Sequence, residues 1–190
     1  YNPKQHNDYS ISIGDSKIQA VDEEKMRAYT FDDMGNAERF VDLFGENVRY
    51  CYTEKKWYFY NSMRWSVDNL GVILRMADKC VEAMKAEAKL YLQADEESGG
   101  DMAKNFEKHM KSSRSNKSKK AMLSEVEHHV PILPLQMDRY KMALNTPSGI
   151  INLKNGEVRS HNAEYYFTKI TSVECSQTAD CPRWLAFLDD

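Results

Sequence analysis

The sequence lacks the short motifs that mark the common classes of enzyme site. It contains no G-x-x-x-x-G-K-[ST] loop for a nucleoside triphosphate, no H-E-x-x-H zinc motif, no G-x-S-x-G nucleophile motif and no G-x-G-x-x-G dinucleotide loop. The four cysteines (Cys51, Cys80, Cys175 and Cys181) are widely and irregularly spaced, with no C-x-x-C pair to hold zinc. We therefore expect free thiols and no catalytic, cofactor or metal site in these 190 residues.

Long apolar runs and a strong net charge are also missing. No apolar run approaches the roughly 20 residues that a membrane span needs, and the first residues have no signal-peptide pattern. The net charge is only −3, so any contact with nucleic acid must come from a local patch. Because the sequence has no initiator Met and stops at W-L-A-F-L-D-D, we expect a piece of a longer cytoplasmic protein.

Apolar periodicity predicts an α+β fold with a helical middle of three or four helices. Residues 1–28 are polar and mixed in charge, which is typical of a linker or a loosely ordered segment. The stretch F-D-D-M-G-N-A-E-R-F-V-D-L-F-G has apolar residues at helical spacing, with Asp32 or Asp33 suited to cap its start and Gly45 suited to the C′ position. A long helix is predicted over residues 69–93, with Leu70 in its apolar stripe and A-D-E-E-S-G-G breaking it.

Two more helices are predicted around Phe106 and Met122, and Pro131 and Pro134 end the helical middle. The last third of the chain is predicted to form a small β element. Asn155-Gly156 indicates a type I′ turn that places Leu153 opposite Val158 and Ile151 opposite Ser160. Y-Y-F-T-K-I is predicted as a further strand, and C-P-R-W-L-A-F-L-D-D as the start of a helix.

An aromatic hairpin is predicted within N-V-R-Y-C-Y-T-E-K-K-W-Y-F-Y, turning at Glu54-Lys55. This register pairs Tyr52 with Trp57 and Tyr50 with Phe59, and alternation puts those four rings on one face, which we expect to pack on the preceding helix. The opposite face leaves three side chains as a possible outward surface: Arg49, Tyr58 and Tyr60. Outward tyrosines beside a cation can stack on bases, at ~1–3 kcal/mol per base. The alternative is that the N-terminal segment or a neighbouring subunit covers them.

The strongest sign of binding chemistry is a basic run. Residues 104–120 contain seven basic residues and one acidic residue, Glu107. Five of the basic residues are candidates for phosphate contact: Lys111, Arg114, Lys117, Lys119 and Lys120. The serines and Asn116 between them suggest a flexible loop whose side chains can also donate to phosphates. Such a patch can bind a nucleic-acid strand with strong salt dependence, whereas the alternative is a solvated loop between two helices.

Three ordered landmarks carry a resemblance to a known family. D-D-M-G-N-A-E-R-F-V-D-L-F-G-E-N-V-R-Y-C-Y-T-E-K-K-W-Y-F-Y-N-S-M-R-W resembles the start of the domain that precedes the helicase in phage and plasmid primase-helicases and in the related poxvirus primase-helicase. L-N-T-P-S-G-I-I-N-L-K-N-G-E-V-R-S-H is similar to a later element of that domain, and A-D-C-P-R-W-L-A-F-L-D-D to the stretch that leads into the helicase.

The resemblance implies a role without catalysis in this segment. In such proteins a superfamily-three helicase follows the domain as a ring, commonly a hexamer, and a primase often precedes it. The helicase would supply the ATP and Mg²⁺ sites. The resemblance implies a linker over residues 1–28, a collar-type domain over residues 29–174 and a connector into a helicase domain over residues 175–190.

The sequence therefore favours a non-catalytic module of a phage or prophage replicative primase-helicase in a bacterial host cell. It would position single-stranded or forked DNA at the helicase entrance, support ring assembly, or do both. The alternative is a protein–protein module, docking a subunit or a loader without touching DNA. A small enzyme acting on nucleic acid is a third hypothesis, which the absence of recognisable metal-ligand spacing disfavours.

Overall fold

The computed structural model describes residues 23–176 and 181–189. Two helices lead into a three-stranded antiparallel sheet, three helices follow it, and a second three-stranded antiparallel sheet precedes a final helix, which confirms the predicted α+β class. Most of the predicted linker lies outside the described residues. Its last six residues, Glu23–Ala28, form a short helix.

The elements are numbered here in chain order. The helices are α1 (Glu23–Ala28), α2 (Asp33–Phe44), α3 (Val72–Ser98), α4 (Met102–Ser113), α5 (Asn116–Val126) and α6 (Pro182–Asp189). The strands are β1 (Val48–Cys51), β2 (Lys56–Tyr60), β3 (Trp65–Val67), β4 (Ala143–Thr146), β5 (Gly149–Asn152) and β6 (Val158–Arg159). Short 3₁₀ turns occupy Gly45–Asn47, Pro134–Gln136 and Ala163–Tyr165.

Helix α2 begins as the sequence predicts. The Asp32 carboxylate accepts a hydrogen bond from the Gly35 amide at 2.9 Å, which satisfies one of the unpaired donors of the first turn. The prediction for Gly45 is wrong, because its φ is −57° and it is not in the left-handed conformation of a C′ glycine. The Gly45 amide still donates to the Val41 carbonyl, and the chain continues directly into a 3₁₀ turn.

The aromatic hairpin forms, but its register differs from the predicted one. Tyr50 pairs with Trp57, and Val48 pairs with Phe59. The predicted Tyr52–Trp57 pair is wrong because four residues, 52–55, form the turn, and Lys55 takes a positive φ of 53°. The alternation survives this shift, since Tyr50, Trp57 and Phe59 still share the face that packs on the helices. Tyr52 instead lies exposed in the turn.

The other face of the first sheet is covered rather than outward. Cys51, Tyr58 and Trp65 are buried there together with Ile132, and the 3₁₀ turn Ala163–Tyr165 and the residue after it pack over them. The Trp65 indole donates to the Ala163 carbonyl at 2.8 Å. The expectation of an outward surface on this face is wrong because residues about a hundred positions away close over it.

The long helix begins later and ends later than predicted. The Asp68 carboxylate accepts hydrogen bonds from the amides of Val72 (2.8 Å) and Ile73 (2.9 Å), which fixes the start of α3. Leu70 therefore precedes the helix and is exposed, not part of its apolar stripe. The helix continues through the acidic residues to Ser98 and ends within the stretch predicted to break it, where Gly99 adopts φ +69°.

The second sheet adds a strand that the pattern did not indicate. Strand β4 pairs with β5, with Thr146 opposite Gly149. The hairpin at Asn155-Gly156 exists, but Val158 pairs with Ile151, so both predicted pairs, Leu153–Val158 and Ile151–Ser160, are wrong. Among the described residues of this turn only Gly156 has a positive φ (73°), whereas a type I′ turn requires two such residues.

The predicted strand over residues 165–170 is also wrong. Tyr165 ends a 3₁₀ turn, and Tyr166 has a φ of 51°, which redirects the backbone. The chain then runs as an extended segment without a strand ladder, although the Trp65 amide donates to the Phe167 carbonyl at 2.7 Å. The predicted helix near the end of the sequence is confirmed as α6.

Candidate nucleic-acid interface

The basic run is helical on both sides of a short junction. Helix α4 ends at Ser113 and α5 begins at Asn116, so only Arg114 and Ser115 lie between them. The Ser115 hydroxyl accepts a hydrogen bond from the Ser118 amide at 3.1 Å and caps α5. The prediction of a flexible loop is therefore wrong, since the serine that suggested it is a helix cap.

Four cations are exposed along this junction, and we call them the basic corner: Lys111, Arg114, Lys117 and Lys120. Lys117 and Lys120 are three residues apart on α5 and therefore share a face. Lys111 forms an exposed ion pair with Glu107 at 3.0 Å. Within the part of the chain that the structure describes, Arg114, Lys117 and Lys120 make no ion pair and no side-chain hydrogen bond.

Lys119 lies apart from the basic corner. Its ammonium forms an ion pair with Asp78 of α3 at 2.6 Å, and its side chain is only 15% exposed. A lysine that is already neutralised by a carboxylate offers little to a phosphate. The geometry therefore separates Lys119 from the other four sequence-predicted phosphate contacts.

Positive charge at the start of α5 opposes the helix dipole. The amino end of a helix carries a partial positive charge, so cations in the first turn are unfavourable and anions are favourable. Lys117 is the second helical residue of α5, and the first turn contains no acidic residue. The exposed amides and the lysines here together create an environment that attracts a phosphate.

A buried hydrogen-bond network fixes the end of α4 against α2. The Asn36 amide group donates to the Ser113 hydroxyl at 3.0 Å, and its oxygen accepts from His109 Nε2 at 3.0 Å. The Ser113 hydroxyl in turn donates to the His109 carbonyl at 3.0 Å. Asn36 and Ser113 are both buried, so α2 fixes the residue that immediately precedes Arg114.

A buried ion pair lies beside this network. Arg39 of α2 donates to both oxygens of Glu87 of α3 at 2.8–3.0 Å, and also to the Thr30 carbonyl at 3.0 Å. The Arg39 guanidinium also faces the Tyr29 ring at 4.7 Å from its centre. Such a bidentate pair is needed where two charges are only 3% and 6% exposed. We call the network and the neighbouring ion pair together the polar hub: Asn36, Arg39, Glu87, His109 and Ser113.

The hub shifts the pKa values of two of its members. Burial raises the pKa of Glu87, and the hydrogen bonds from Arg39 oppose that rise. Burial also lowers the pKa of His109, and the nearby Arg39 charge lowers it further, while Asp32 and Asp33 act in the opposite direction. His109 is therefore neutral at pH 7 and donates from Nε2 to Asn36.

The three candidates on the hairpin do not join the basic corner. Tyr58 is buried and donates to Glu54 at 2.5 Å, and burial raises its pKa. The Tyr60 hydroxyl donates to the Ser62 carbonyl at 3.0 Å. The Arg49 guanidinium faces the Trp65 and Tyr166 rings at 5.1 and 5.5 Å from their centres. Tyr58 is therefore not outward as predicted, whereas Arg49 and Tyr60 are half-buried and pack within the first sheet.

Sequence reasoning missed the polar hub, although part of its signal was visible. Asn36 stands four residues before Phe40 on the apolar stripe of α2, and a polar residue in that register indicates a buried partner. Gly35 carries a second signal, because a Cβ there would lie 2.1 Å from the Thr30 carbonyl oxygen. The partners Glu87 and His109 come from distant helices, so local pattern could not identify them.

The described residues contain neither a group of metal ligands nor a membrane-spanning helix. Over residues 23–176 and 181–189, no three His, Cys, Asp or Glu side chains are grouped so that they could hold a metal ion. No helix within those ranges is long and apolar enough to cross a bilayer. All four cysteines are free thiols, and burial raises the pKa of Cys80 to about 12.

Comparison with known proteins gives one family match. Residues 37–190 match the family model described as D5 N-terminal like, which is well over half of the chain. The matched range begins at Ala37 in α2 and includes both sheets, the basic corner and α6. No curated protein sequence matches the chain.

Proposed function

The chain belongs to the D5 N-terminal-like family, whose domains lie N-terminal to the superfamily-three helicase in D5-type primase-helicases, and on that premise we propose that it contacts DNA through the basic corner. The module itself is non-catalytic. It positions single-stranded or forked DNA at the entrance of the helicase ring of a phage or prophage replication protein, in the cytoplasm of the host cell. The ATP and Mg²⁺ sites belong to the adjoining helicase.

One observation carries this proposal. Arg114, Lys117 and Lys120 are exposed at the short junction between α4 and α5, and no carboxylate in the described part of the chain pairs with them. Lys119 and Arg39, in contrast, are paired with carboxylates within the fold. Lys117 lies in the first turn of α5, where an unpaired cation is electrostatically unfavourable until an anion binds. A phosphate backbone supplies that anion repeatedly.

The salt dependence of binding tests this proposal. We would measure the affinity of the chain for a labelled single strand of roughly 16 nucleotides by fluorescence anisotropy, over roughly 50–200 mM salt. The double variant Lys117→Ala/Lys120→Ala should lower the log–log salt slope by about 1.4, because each phosphate contact on a single strand contributes about 0.7.

A matched variant controls for the loss of charge alone. Lys56→Ala/Lys89→Ala removes two exposed lysines from β2 and the middle of α3, away from the corner. This control should keep the wild-type slope. If both double variants change the slope equally, binding is a diffuse charge effect and the basic corner has no specific role.

A protein–protein role has separate support. Leu185 and Leu188 of α6 are exposed, and Leu135 in the 3₁₀ turn Pro134–Gln136 is 89% exposed. Exposed apolar side chains of this size suit a subunit or loader interface. Under this alternative the chain self-associates, and sedimentation should show concentration-dependent assembly that added DNA does not change. A hexameric ring would require the adjoining helicase.

A further inference from the structure

A second group of cations surrounds an open pocket on the C-terminal sheet. The pocket has a volume of about 520 Å³, within the range of small-ligand sites. Four of its lining residues are basic, and none of the described lining residues is acidic. We call this site the basic pocket and define it by its charged and aromatic members: Arg139, Tyr140, Lys141, Lys154, Arg159 and Tyr165.

The pocket also contains a fixed aromatic surface. The Tyr140 and Tyr165 rings lie 5.0 Å apart between centres, and Tyr165 stacks on Phe167 at 5.6 Å with only 11° between the planes. Phe167 is buried, so the stack is anchored in the core. Tyr140 is exposed and lies beside the stack, with 52° between its plane and that of Tyr165. An anchored ring loses little conformational freedom when a planar ligand stacks on it.

The cations around the rings differ in how they are held. Arg139 donates to the Tyr140 hydroxyl at 2.8 Å and lies over its ring, 4.8 Å from the centre. Arg159 is paired with Glu157 at 3.0 Å. Lys141 and Lys154 are exposed and make no ion pair within the described residues. Two lysines and one arginine are thus available beside an aromatic platform.

We propose that the basic pocket binds one nucleotide of a single-stranded nucleic acid, with the base on the Tyr140–Tyr165 rings and the flanking phosphates at Lys141, Lys154 and Arg139. Stacking requires a base that is not already stacked in a duplex, so the pocket selects single strands. The basic corner offers cations without an aromatic ring and contacts only phosphates. This assignment rests on the proposed function, because it assumes that the protein binds nucleic acid.

The preference for single strands over duplex distinguishes the two sites. We would measure the affinity of the chain for oligo-dT, for a duplex of the same length and for thymidine monophosphate. Tyr140→Ala should weaken oligo-dT binding about tenfold, the loss expected of one stacked base, and leave duplex binding unchanged. Tyr52→Ala, which removes an exposed tyrosine from the hairpin turn, is the matched control and should change neither affinity.

Photochemical cross-linking places the ligand directly. An oligonucleotide that carries iododeoxyuridine should cross-link to a peptide containing Tyr140 or Tyr165. Cross-links confined to other peptides would overturn the assignment, as would equal oligo-dT affinity in Tyr140→Ala and wild type. If thymidine monophosphate binds as tightly as oligo-dT, the proposal that the pocket binds a nucleic-acid strand is wrong, and its ligand is a free nucleotide.

The two proposals fail in different ways. If the pocket is wrong but the corner is right, Tyr140→Ala binds oligo-dT as wild type does, and Lys117→Ala/Lys120→Ala still lowers the salt slope. If the corner is wrong but the pocket is right, the corner variant keeps the slope and Tyr140→Ala loses its preference for single strands.

Discussion

The polar hub and the basic corner are neighbours in the sequence, at Ser113 and Arg114, yet they hold their charges in opposite ways. In the hub, each buried charge has a matched partner, as Arg39 has Glu87 at 2.8 Å. In the corner, whose residues lie on both sides of Ser113 in the sequence, the cations are exposed and three of them lack a carboxylate in the described part of the chain. Paired buried charge stabilises a unique arrangement of helices, whereas unpaired exposed charge is available to an outside ligand.

The residues of the family motif belong with the buried hub and not with the exposed corner. Asp32, Gly35, Asn36 and Arg39 all belong to the stretch that carried the family resemblance, and each makes an internal contact. A motif built this way preserves the position of α2 against α3 and α4. The motif therefore serves the fold, and the residues proposed to contact DNA lie outside it.

Breaking the buried ion pair should give the largest effect. Arg39→Met leaves the Glu87 carboxylate buried without its partner, and we expect the free energy of unfolding to fall by about 3–5 kcal/mol. Urea denaturation measures this loss. Arg75→Met, at an exposed position of α3, is the control and should cost little. The double variant Arg39→Met/Glu87→Leu should recover most of the stability, and failure to recover would show that Arg39 acts through packing instead.

Removing the Asn36 side-chain amide should lower the free energy of unfolding by a smaller amount. Asn36→Ala leaves the His109 Nε2–H and the Ser113 hydroxyl without their partner, at a cost of about 1–3 kcal/mol. The exposed Asn105→Ala on α4 is the matched control. Because Ser113 precedes Arg114, we also expect Asn36→Ala to weaken DNA binding in conditions where the variant is fully folded. Full retention of binding would show that the hub does not position the corner.

Acidification should affect the hub through His109. Its pKa is lowered in the folded state, so the unfolded chain binds the proton more readily, and stability falls as the pH drops below the ordinary histidine value near 6.5. We expect the free energy of unfolding to decrease from pH 7 to pH 5. His109→Gln, which cannot titrate, should show a shallower decrease. Equal slopes in the two proteins would contradict a role for this histidine.

Local pattern predicted most helices and both hairpins but neither hairpin register, and it missed β4 and wrongly placed a strand at residues 165–170. Helix α2, the aromatic hairpin and α6 follow from apolar spacing and the Asp32 cap. Both predicted registers assume a two-residue turn, whereas the actual turns are longer. Residues 52–55, for example, form a four-residue turn in the first hairpin. Turn length depends on how the strands pack on the core, which a sequence window does not contain.

For the candidate site, the sequence likewise predicted the basic run but not the contacts that its residues make. Composition identified the basic run, but it could not reveal that Lys119 meets Asp78 across two helices or that Ser115 is a cap. Tyr58 was predicted to point outward because the residues that bury it, among them Ile132 and Tyr166, are distant from it in the sequence. The basic pocket went unnoticed, because its cations come from scattered positions between Arg139 and Arg159.

The most direct test compares unfolding with and without DNA in the same protein pair. We would measure the free energy of unfolding of wild type and Lys117→Ala/Lys120→Ala, with and without excess single-stranded oligonucleotide. Without DNA, the variant should be as stable as wild type or more stable, by up to about 1 kcal/mol at low salt, because cations near the start of a helix are unfavourable. With DNA, wild type should gain more stability than the variant, since only binding to the folded state stabilises it. An equal gain from DNA in both proteins would contradict the account.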